Sequence, residues 1–348
     1  MKKIVAVLAG LILLFAIYTG WKFFGPATYF KSDTKYLYIP SANATKEEVM
    51  RRLQQDSMLR SPFAFEWMAG RMNYWKRIKP GKYKIASGNS AFNIVRLLRN
   101  GNQTPVNLVI TKLRTREDLA SLAGRRLECD SAQMIRFLTS NDSLQQYGLD
   151  TNTVMTAVFP NTYTYFWNTT PGSVFSKFLK QYNAFWTPER TAQAKEKGLT
   201  PQTSYILASI VEEETNKQTD KGNIASVYLN RMQKGMKLGA DPTVKYALKD
   251  FGLRRIYYKH LAVESPYNTY KINGLPPGPI CTPGTATIDA VLHAPQTDYL
   301  YFVARSDFSG YHVFAPTYAE HLKLAKQYQD SLTHYLQRRQ AAKDTLNK

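Results

Sequence analysis

Three consecutive glutamates at the end of residues 207–215 are the side chains best suited to acid–base chemistry. Thr200 as a helix N-cap and Pro201 in the first turn predict a helix that runs to about Asn216. One face of that helix, at i, i+3, i+4 and i+7, carries Leu207, Ile210, Val211 and Glu214. Because a carboxylate against apolar neighbours is costly to ionise, its pKa rises and it can donate a proton near neutral pH. The pattern therefore indicates Glu214 as a general acid.

The same cluster has a plainer interpretation. Glu212 and Glu213 point away from the apolar face. Three acidic side chains at a helix end can simply decorate an exposed surface. The spacing alone leaves both interpretations open.

Asp241 is a candidate for a second carboxylate. It follows a further predicted helix over residues 224–232, and with Thr243 it could line the same groove as Glu214. Aspartate directly before proline is also an excellent N-cap and first-turn pair, which would explain Asp241 without chemistry. Both interpretations stay open.

A stiff loop at residues 265–280 offers groups that can bind a sugar. Six of its sixteen residues are proline or glycine, so its backbone is rigidly shaped. Tyr267, Asn268 and Tyr270 supply hydroxyl and amide groups. Such a loop suits a polysaccharide groove, although an ordinary structural turn remains the alternative.

Several classes of site lack their signatures in this sequence. There is no serine nucleophile elbow, no zinc-protease helix motif and no glycine-rich phosphate loop. The five histidines have no ligand spacing, so no metal and no organic cofactor is expected. Cys129 and Cys281 lie far apart, and we expect buried free thiols.

The formal net charge of +20 does not indicate a nucleic-acid partner. Lys and Arg are spread along the chain, and no nucleic-acid-binding motif accompanies them. A basic surface facing anionic lipid headgroups or an acidic wall polymer fits the charge better, and a merely solubilising role is the alternative.

The N-terminal residues predict a membrane anchor. Residues 4–24 form an apolar run with Lys22 as its only charge, long enough to cross a hydrocarbon core of about 30 Å. We find no convincing signal-peptidase site, so a retained anchor is favoured over a cleaved signal. Lys2 and Lys3 place the N-terminus in the cytoplasm and the remaining chain outside. No second run of comparable length follows, which predicts a single-pass protein.

The pattern after the anchor predicts an α+β protein. Residues 1–25 are taken as the cytoplasmic tip and transmembrane anchor and 26–34 as a linker. Strands at 36–40, 81–85 and 106–110 alternate with helices at 46–55 and 91–99 in a small α/β module over 35–111. From residue 112 to 348 the pattern is a mixed α/β domain, mostly helical, with helices at 117–127 and 131–139. The aromatic segment 157–166 is either core or part of a sugar-sized site, and the core interpretation is favoured.

A set of motifs in one order resembles the membrane-anchored endolytic murein transglycosylases, also described as the YceG-like family. These motifs occupy residues 208–215, 225–231, 241–244, 267–270, 274–284, 298–303 and 310–314. The resemblance implies a LysM-like fold for the module at 35–111. It also implies that the essential carboxylate, the second glutamate of Glu-x-Glu-Thr, falls on Glu214. Glu212, Asn230, Asp241, Thr243, Tyr267, Asn268 and Tyr270 are assigned to substrate binding.

The resemblance implies a lytic transglycosylase, a lyase that cleaves the β-1,4 bond from N-acetylmuramic acid to N-acetylglucosamine and leaves a 1,6-anhydro end. Glu214 would act first as acid and then as base. Expected partners are peptidoglycan strands, the membrane and peptidoglycan synthases, with the catalytic domain extracytoplasmic or periplasmic at the cell (inner) membrane. A role in trimming or terminating nascent glycan follows.

One departure from the family pattern is Asn161, where the family commonly has an aspartate. The alternatives to a transglycosylase are a hydrolysing muramidase and a non-enzymatic wall-binding membrane protein.

Overall fold

The computed structural model describes residues 2–346, with side chains described through residue 340. It contains two compact units. The first runs from the N-terminal end to Leu108 and also takes in Ser121–Ser131 and Tyr163–Val174. The second comprises Val109–Ala120, Ala132–Thr162 and the chain from Phe175 onward. The predicted module bounds of 35–111 omit the two later segments that are compact with it, because a linear pattern carries no sign of such returns.

One described helix is long and apolar enough to cross a membrane. It is α1, Lys2–Phe24, and all its residues from Lys2 to Tyr18 are exposed. An apolar surface on every side is typical of a helix surrounded by lipid or of a signal sequence.

The first unit is built around one antiparallel pair of strands with helices packed against it. Strands β1 (Thr34–Ile39) and β2 (Gly81–Ala86) are antiparallel, with Thr34 opposite Ala86 and Ile39 opposite Gly81. The helices are α2 (Lys46–Gln55), α3 (Pro62–Arg71) and α4 (Ala91–Asn100). The predicted strands and the helices α2 and α4 are confirmed within one or two residues. Their buried faces form one core that includes Leu37, Ile39, Val49, Leu53, Phe65, Tyr83, Ile85, Ile94 and Leu98.

The helix α3 is absent from the sequence-based prediction. Its segment carries aromatic and apolar side chains on most of its faces, so no clear helical period stands out. Ser61 nevertheless caps it by accepting a hydrogen bond from the Ala64 amide.

The segment predicted as a linker is bonded into the first unit. The Ala27 amide donates to the Asn89 carbonyl at 2.9 Å, and the Tyr29 amide donates to the Met58 carbonyl at 3.1 Å. Ala27 and Thr28 are buried. This segment is therefore a structured edge of the unit rather than a free tether.

The strands β3 (Val106–Ile110) and β4 (Asn161–Tyr165) form a second two-stranded sheet. The neighbouring aromatic side chains Phe159, Tyr163 and Tyr165 are buried, which confirms the core interpretation of that segment. Asn161 is exposed, and its side chain accepts a hydrogen bond from the next backbone amide.

The second unit is mostly helical. Its helices include α5 (Arg116–Gly124), α6 (Ser131–Leu138), α7 (Asn141–Gln145), α8 (Pro171–Phe185), α9 (Pro188–Glu196), α10 (Pro201–Glu214), α11 (Gln218–Gln233), α12 (Asp241–Leu248), α13 (Tyr258–Leu261) and α14 (Thr285–Leu292), some of which run across the division between units. The antiparallel strands β5 (Tyr301–Ala304) and β6 (His312–Ala315) precede α15 (Tyr318–Leu346). Helices α10, α11 and α14 meet in its main core. The predicted mixed α+β class is confirmed, as are the buried free thiols of Cys129 and Cys281.

Candidate active site

Glu214 lies at the end of helix α10, at the edge of the main core. Thr200 and Thr203 form the capping box that starts the helix, and Pro201 occupies its first turn, as predicted. Leu207, Ile210 and Val211 are fully buried, which anchors one face of the helix. Glu214 is the last helical residue on that face and is half-buried. The predicted spacing therefore describes the helix correctly.

Glu214 has one short hydrogen bond to a neighbouring helix. The hydroxyl of Tyr228 on α11 donates to Glu214 Oε1 at 2.6 Å. Burial, followed by the Glu214 charge, raises the pKa of Tyr228 well above its ordinary value. The phenol therefore keeps its proton at neutral pH and acts as a donor to the carboxylate.

The surroundings of Glu214 raise its pKa to about 7. Burial is the largest cause, and the charge of Asp241 acts in the same direction. The Tyr228 hydrogen bond and the charges of Arg231 and Lys245 act in the opposite direction. Both protonation states of the carboxyl group are therefore accessible near neutral pH, as acid–base catalysis requires.

The other two glutamates are tied to basic residues of the protein. Glu212 accepts from Lys221 Nζ at 2.8 Å and from the Thr287 hydroxyl. Glu213 lies 3.1 Å from both Lys112 Nζ and Arg114 Nη2. Burial would raise the pKa of Glu213, but these two cations outweigh it and lower that pKa. Glu214 therefore differs from both neighbours, because its short hydrogen bond comes from a phenol and not from a cation.

Asp241 is the first residue of α12, and its carboxylate does not cap that helix. The N-cap is Ala240, without a side-chain cap. The Tyr270 hydroxyl instead donates to Asp241 Oδ1 at 2.6 Å. The N-cap part of the structural interpretation is wrong, because the helix begins at Asp241 itself. The first-turn part is confirmed, and a carboxylate in the first turn is favoured by the helix dipole.

A buried polar network holds this part of the site in place. Thr243 and Asn268 are fully buried. The Thr243 and Thr269 hydroxyls lie 2.8 Å apart. The Asn268 amide donates to the Leu261 and Val263 carbonyls, and its oxygen accepts from the Tyr270 amide at 3.1 Å. These bonds correct the assignment of Thr243 and Asn268 to substrate contact. Both side chains are fully buried, and their polar atoms form the hydrogen bonds that position Tyr270 and the start of α12.

Asn230 and Glu212 also bond within the protein. The Asn230 amide donates to the Thr297 and Tyr299 carbonyls at 2.9 Å each. Both side chains are partly exposed, and their assignment to substrate binding stays a prediction.

Tyr267 lines a pocket beside α12. Its ring centroid lies 4.6 Å from that of Tyr246 on α12. Gly278 makes the close approach behind it, since a Cβ there would lie 2.1 Å from the Asn152 carbonyl oxygen and 2.8 Å from the Tyr267 hydroxyl. The pocket has a volume of about 190 Å³, and its other lining residues include Thr115, Arg116, Thr151, Met155, Lys249, Ser265 and Pro279.

The sequence analysis did not identify three of the residues around Glu214. Tyr228, Arg231 and Lys245 were not singled out, although all three affect the pKa of Glu214. A phenol on the buried face of α11, three residues before an arginine, was the signal available for the first two. For Lys245, its position four residues after Asp241 was the available signal.

The sequence and the fold of this chain are similar to those of known proteins. The model of the YceG-like family matches residues 37–327. The endolytic murein transglycosylase of Bacillus subtilis (strain 168) is 40% identical over 175 residues, which are 49% of this chain and 47% of that protein. The endolytic murein transglycosylase of Streptococcus pneumoniae (serotype 2, strain D39) is 26% identical over 294 residues, 74% of this chain and 52% of that protein.

This chain therefore spans about half the length of the curated relatives it matches. A crystal structure of a putative YceG-like protein from Listeria monocytogenes aligns with a TM-score of 0.56 and 26% identity, covering 84% of this chain and 99% of that one. The family match extends over most of the chain and includes α10, α11 and α12. The chain belongs to the YceG-like family.

Proposed function

We propose that this chain is an endolytic lytic transglycosylase of peptidoglycan with Glu214 as its single acid and base. The observation that carries the proposal is the half-buried Glu214 carboxyl, whose pKa of about 7 allows both protonation states near neutral pH. The names of the Bacillus and Streptococcus relatives support the same reaction.

In the first step the protonated Glu214 donates its proton to the oxygen of the β-1,4 bond between N-acetylmuramic acid and N-acetylglucosamine. The bond from C1 to that oxygen breaks, the N-acetylglucosamine side leaves as an alcohol, and C1 acquires oxocarbenium character. Tyr228 bonds to Oε1, so we assign Oε2 to the substrate.

In the second step the Glu214 carboxylate accepts the proton of the muramoyl C6 hydroxyl as that oxygen bonds to C1. The product is a 1,6-anhydro end, no water is consumed, and Glu214 returns to its protonated state. Asp241, paired with Tyr270, keeps negative charge near the site, and Arg231 and Lys245 balance it. Two-carboxylate hydrolases divide these roles between two side chains.

We propose that α1 is retained as a membrane anchor, with the N-terminus in the cytoplasm and the chain that follows α1 outside. Its length and its apolar surface support this assignment. An anchored enzyme reaches glycan close to the membrane, which suits a role in trimming or terminating nascent strands beside peptidoglycan synthases.

The decisive experiment incubates the full chain with purified glycan strands and analyses the products by mass spectrometry. We expect anhydro ends from the wild type and none above background from Glu214→Gln. Glu213→Gln is the matched control from the neighbouring position and should keep most of the activity of the folded protein. Reducing ends, heavier by one water, would instead establish a muramidase. Release of nothing by a wild type that binds sacculi would establish a wall-binding protein.

A further inference from the structure

Within the first unit, α3 and α4 contact the end of α1 through aromatic side chains. The Phe23 and Trp67 ring centroids lie 4.5 Å apart, and those of Phe24 and Phe92 lie 5.7 Å apart. Phe23 also packs against the core of this unit. With residues 27–29 bonded into the unit, α3 and α4 are held at the level where α1 ends.

The exposed side of α3 continues this aromatic contact. Phe63, Trp67 and Arg71 are spaced four residues apart, which places them along one side of the helix. Phe63 is 67% exposed and Trp67 is 43% exposed. Neighbouring exposed aromatic rings that form one patch are typical of an interaction site for protein or membrane.

The same pairing of a ring with a cation recurs on three helices. Each cation follows its ring by four residues and lies over it. The distances to the ring centroid are 5.9 Å for Lys22 over Tyr18 in α1, 5.3 Å for Arg71 over Trp67 in α3 and 5.6 Å for Arg96 over Phe92 in α4. Aromatic rings and basic side chains with long apolar stems are both typical of the boundary between hydrocarbon and headgroups.

The charge of this region has the sign that anionic lipid attracts. Residues 22–108 contain 15 Lys and Arg against 5 Asp and Glu. Glu66, the acidic residue next to Trp67, is neutralised by Lys46 at 2.6 Å. Basic side chains close to a membrane are attracted to anionic headgroups.

We propose that the α3–α4 aromatic face, formed by Phe63, Trp67, Arg71, Phe92 and Arg96, lies in the headgroup region of the leaflet at which α1 ends, with anionic lipid as its partner. The proposal rests on the proposed anchoring by α1. In this arrangement the part of the first unit that follows α1 rests on the membrane surface.

The test uses the full chain in phosphatidylglycerol-containing vesicles with a nitroxide on Phe63→Cys. The control is Asn102→Cys, an exposed position just beyond the far end of α4, which extends about 12 Å from Phe92. Cys129 and Cys281 are buried, so the label attaches to the introduced thiol. We expect the ratio of collisions with oxygen to collisions with a water-soluble nickel complex to be at least about threefold higher at position 63.

Equal ratios at positions 63 and 102, in a chain that floats with the vesicles, would overturn the docked face while leaving the anchor intact. A chain that does not float would refute the anchor and the docked face together, and its glycan-cleaving activity would still be tested separately on soluble strands. Arg71→Glu should lower the ratio at position 63, whereas Lys76→Glu, the matched charge reversal five residues later, should leave it unchanged. Equal effects of the two reversals would refute the role of Arg71.

Discussion

The Tyr228 hydroxyl on α11 donates a 2.6 Å hydrogen bond to Glu214 Oε1 at the end of α10. The bond stabilises the ionised carboxylate and so opposes the burial that raises its pKa. It also fixes one oxygen of the carboxylate, which leaves the side chain with little freedom to rotate away from a bound glycan. A phenol is suited to this position because its own pKa is raised and it does not lose its proton.

Tyr228→Phe removes this donor and should raise the pKa of Glu214 further. The alkaline limb of the activity profile, where Glu214 loses the proton it must donate, should therefore move to higher pH. A hydrogen bond to a charged group contributes about 1.5–3 kcal/mol, so the rate should fall by roughly ten- to a hundredfold. The measurement is anhydro-product formation from pH 5 to 9. Tyr83→Phe, which removes a buried hydroxyl bonded to the Lys79 carbonyl, should leave the profile in place.

Asp241→Asn should move the alkaline limb of the activity profile to lower pH. The Asp241 charge raises the pKa of Glu214, so its removal lowers that pKa. The asparagine oxygen can still accept from Tyr270, which limits structural damage. Asp289→Asn, which changes a carboxylate paired with Arg190, is the control. Shifts of the same sign in Tyr228→Phe and Asp241→Asn would contradict this electrostatic account.

Glu214→Gln should stabilise the protein at alkaline pH. The pKa of Glu214 is 4.5 in an unfolded chain and about 7 here, so its contribution is complete below pH 4.5 and is lost as pH rises through 7. The difference corresponds to about 3 kcal/mol at most. Thermal unfolding should show a more stable variant at pH 8.5 and no difference at pH 4.

Glu213→Gln should have the opposite effect on stability at alkaline pH. Its pKa is lowered, so ionisation of Glu213 adds stability above pH 4.5 that disappears as the pH falls through the lowered value. This variant should be less stable than wild type at pH 8.5. Destabilisation by both substitutions at that pH would show that Glu214 is not held at a raised pKa.

Gly278→Ala should destabilise the second unit more than other glycine substitutions nearby. Its Cβ would meet the Asn152 backbone oxygen at 2.1 Å, so the loop or the Tyr267 ring must move. We expect the free energy of unfolding to fall by about 1–3 kcal/mol, with greater hydrogen exchange in the loop at 265–280. Gly284→Ala, with open space around the new methyl group, should cost about 1 kcal/mol or less. Similar losses of stability in Gly278→Ala and Gly284→Ala would refute the close contact between Gly278 and the Asn152 backbone.

Local sequence information predicts α10 well because its capping box, first-turn proline and apolar stripe all lie within fifteen residues. The same holds for β1, β2, α2 and α4, whose alternation and caps are local. It fails at α3, where apolar residues on most faces hide the period. It also fails at the supposed linker, since the hydrogen bonds of residues 27–29 go to segments thirty and sixty residues away.

The sequence by itself determined which glutamate ends the apolar face, because helical periodicity is a property of neighbouring residues. Only the tertiary structure decided what surrounds that glutamate. Tyr228, Arg231 and Asp241 act on Glu214 through distances between separate elements, and no spacing along the chain encodes those distances. The same reason explains why Thr243 and Asn268, polar and attractive in the sequence, are buried supports of the site. Burial and bonding partners are set when the elements pack.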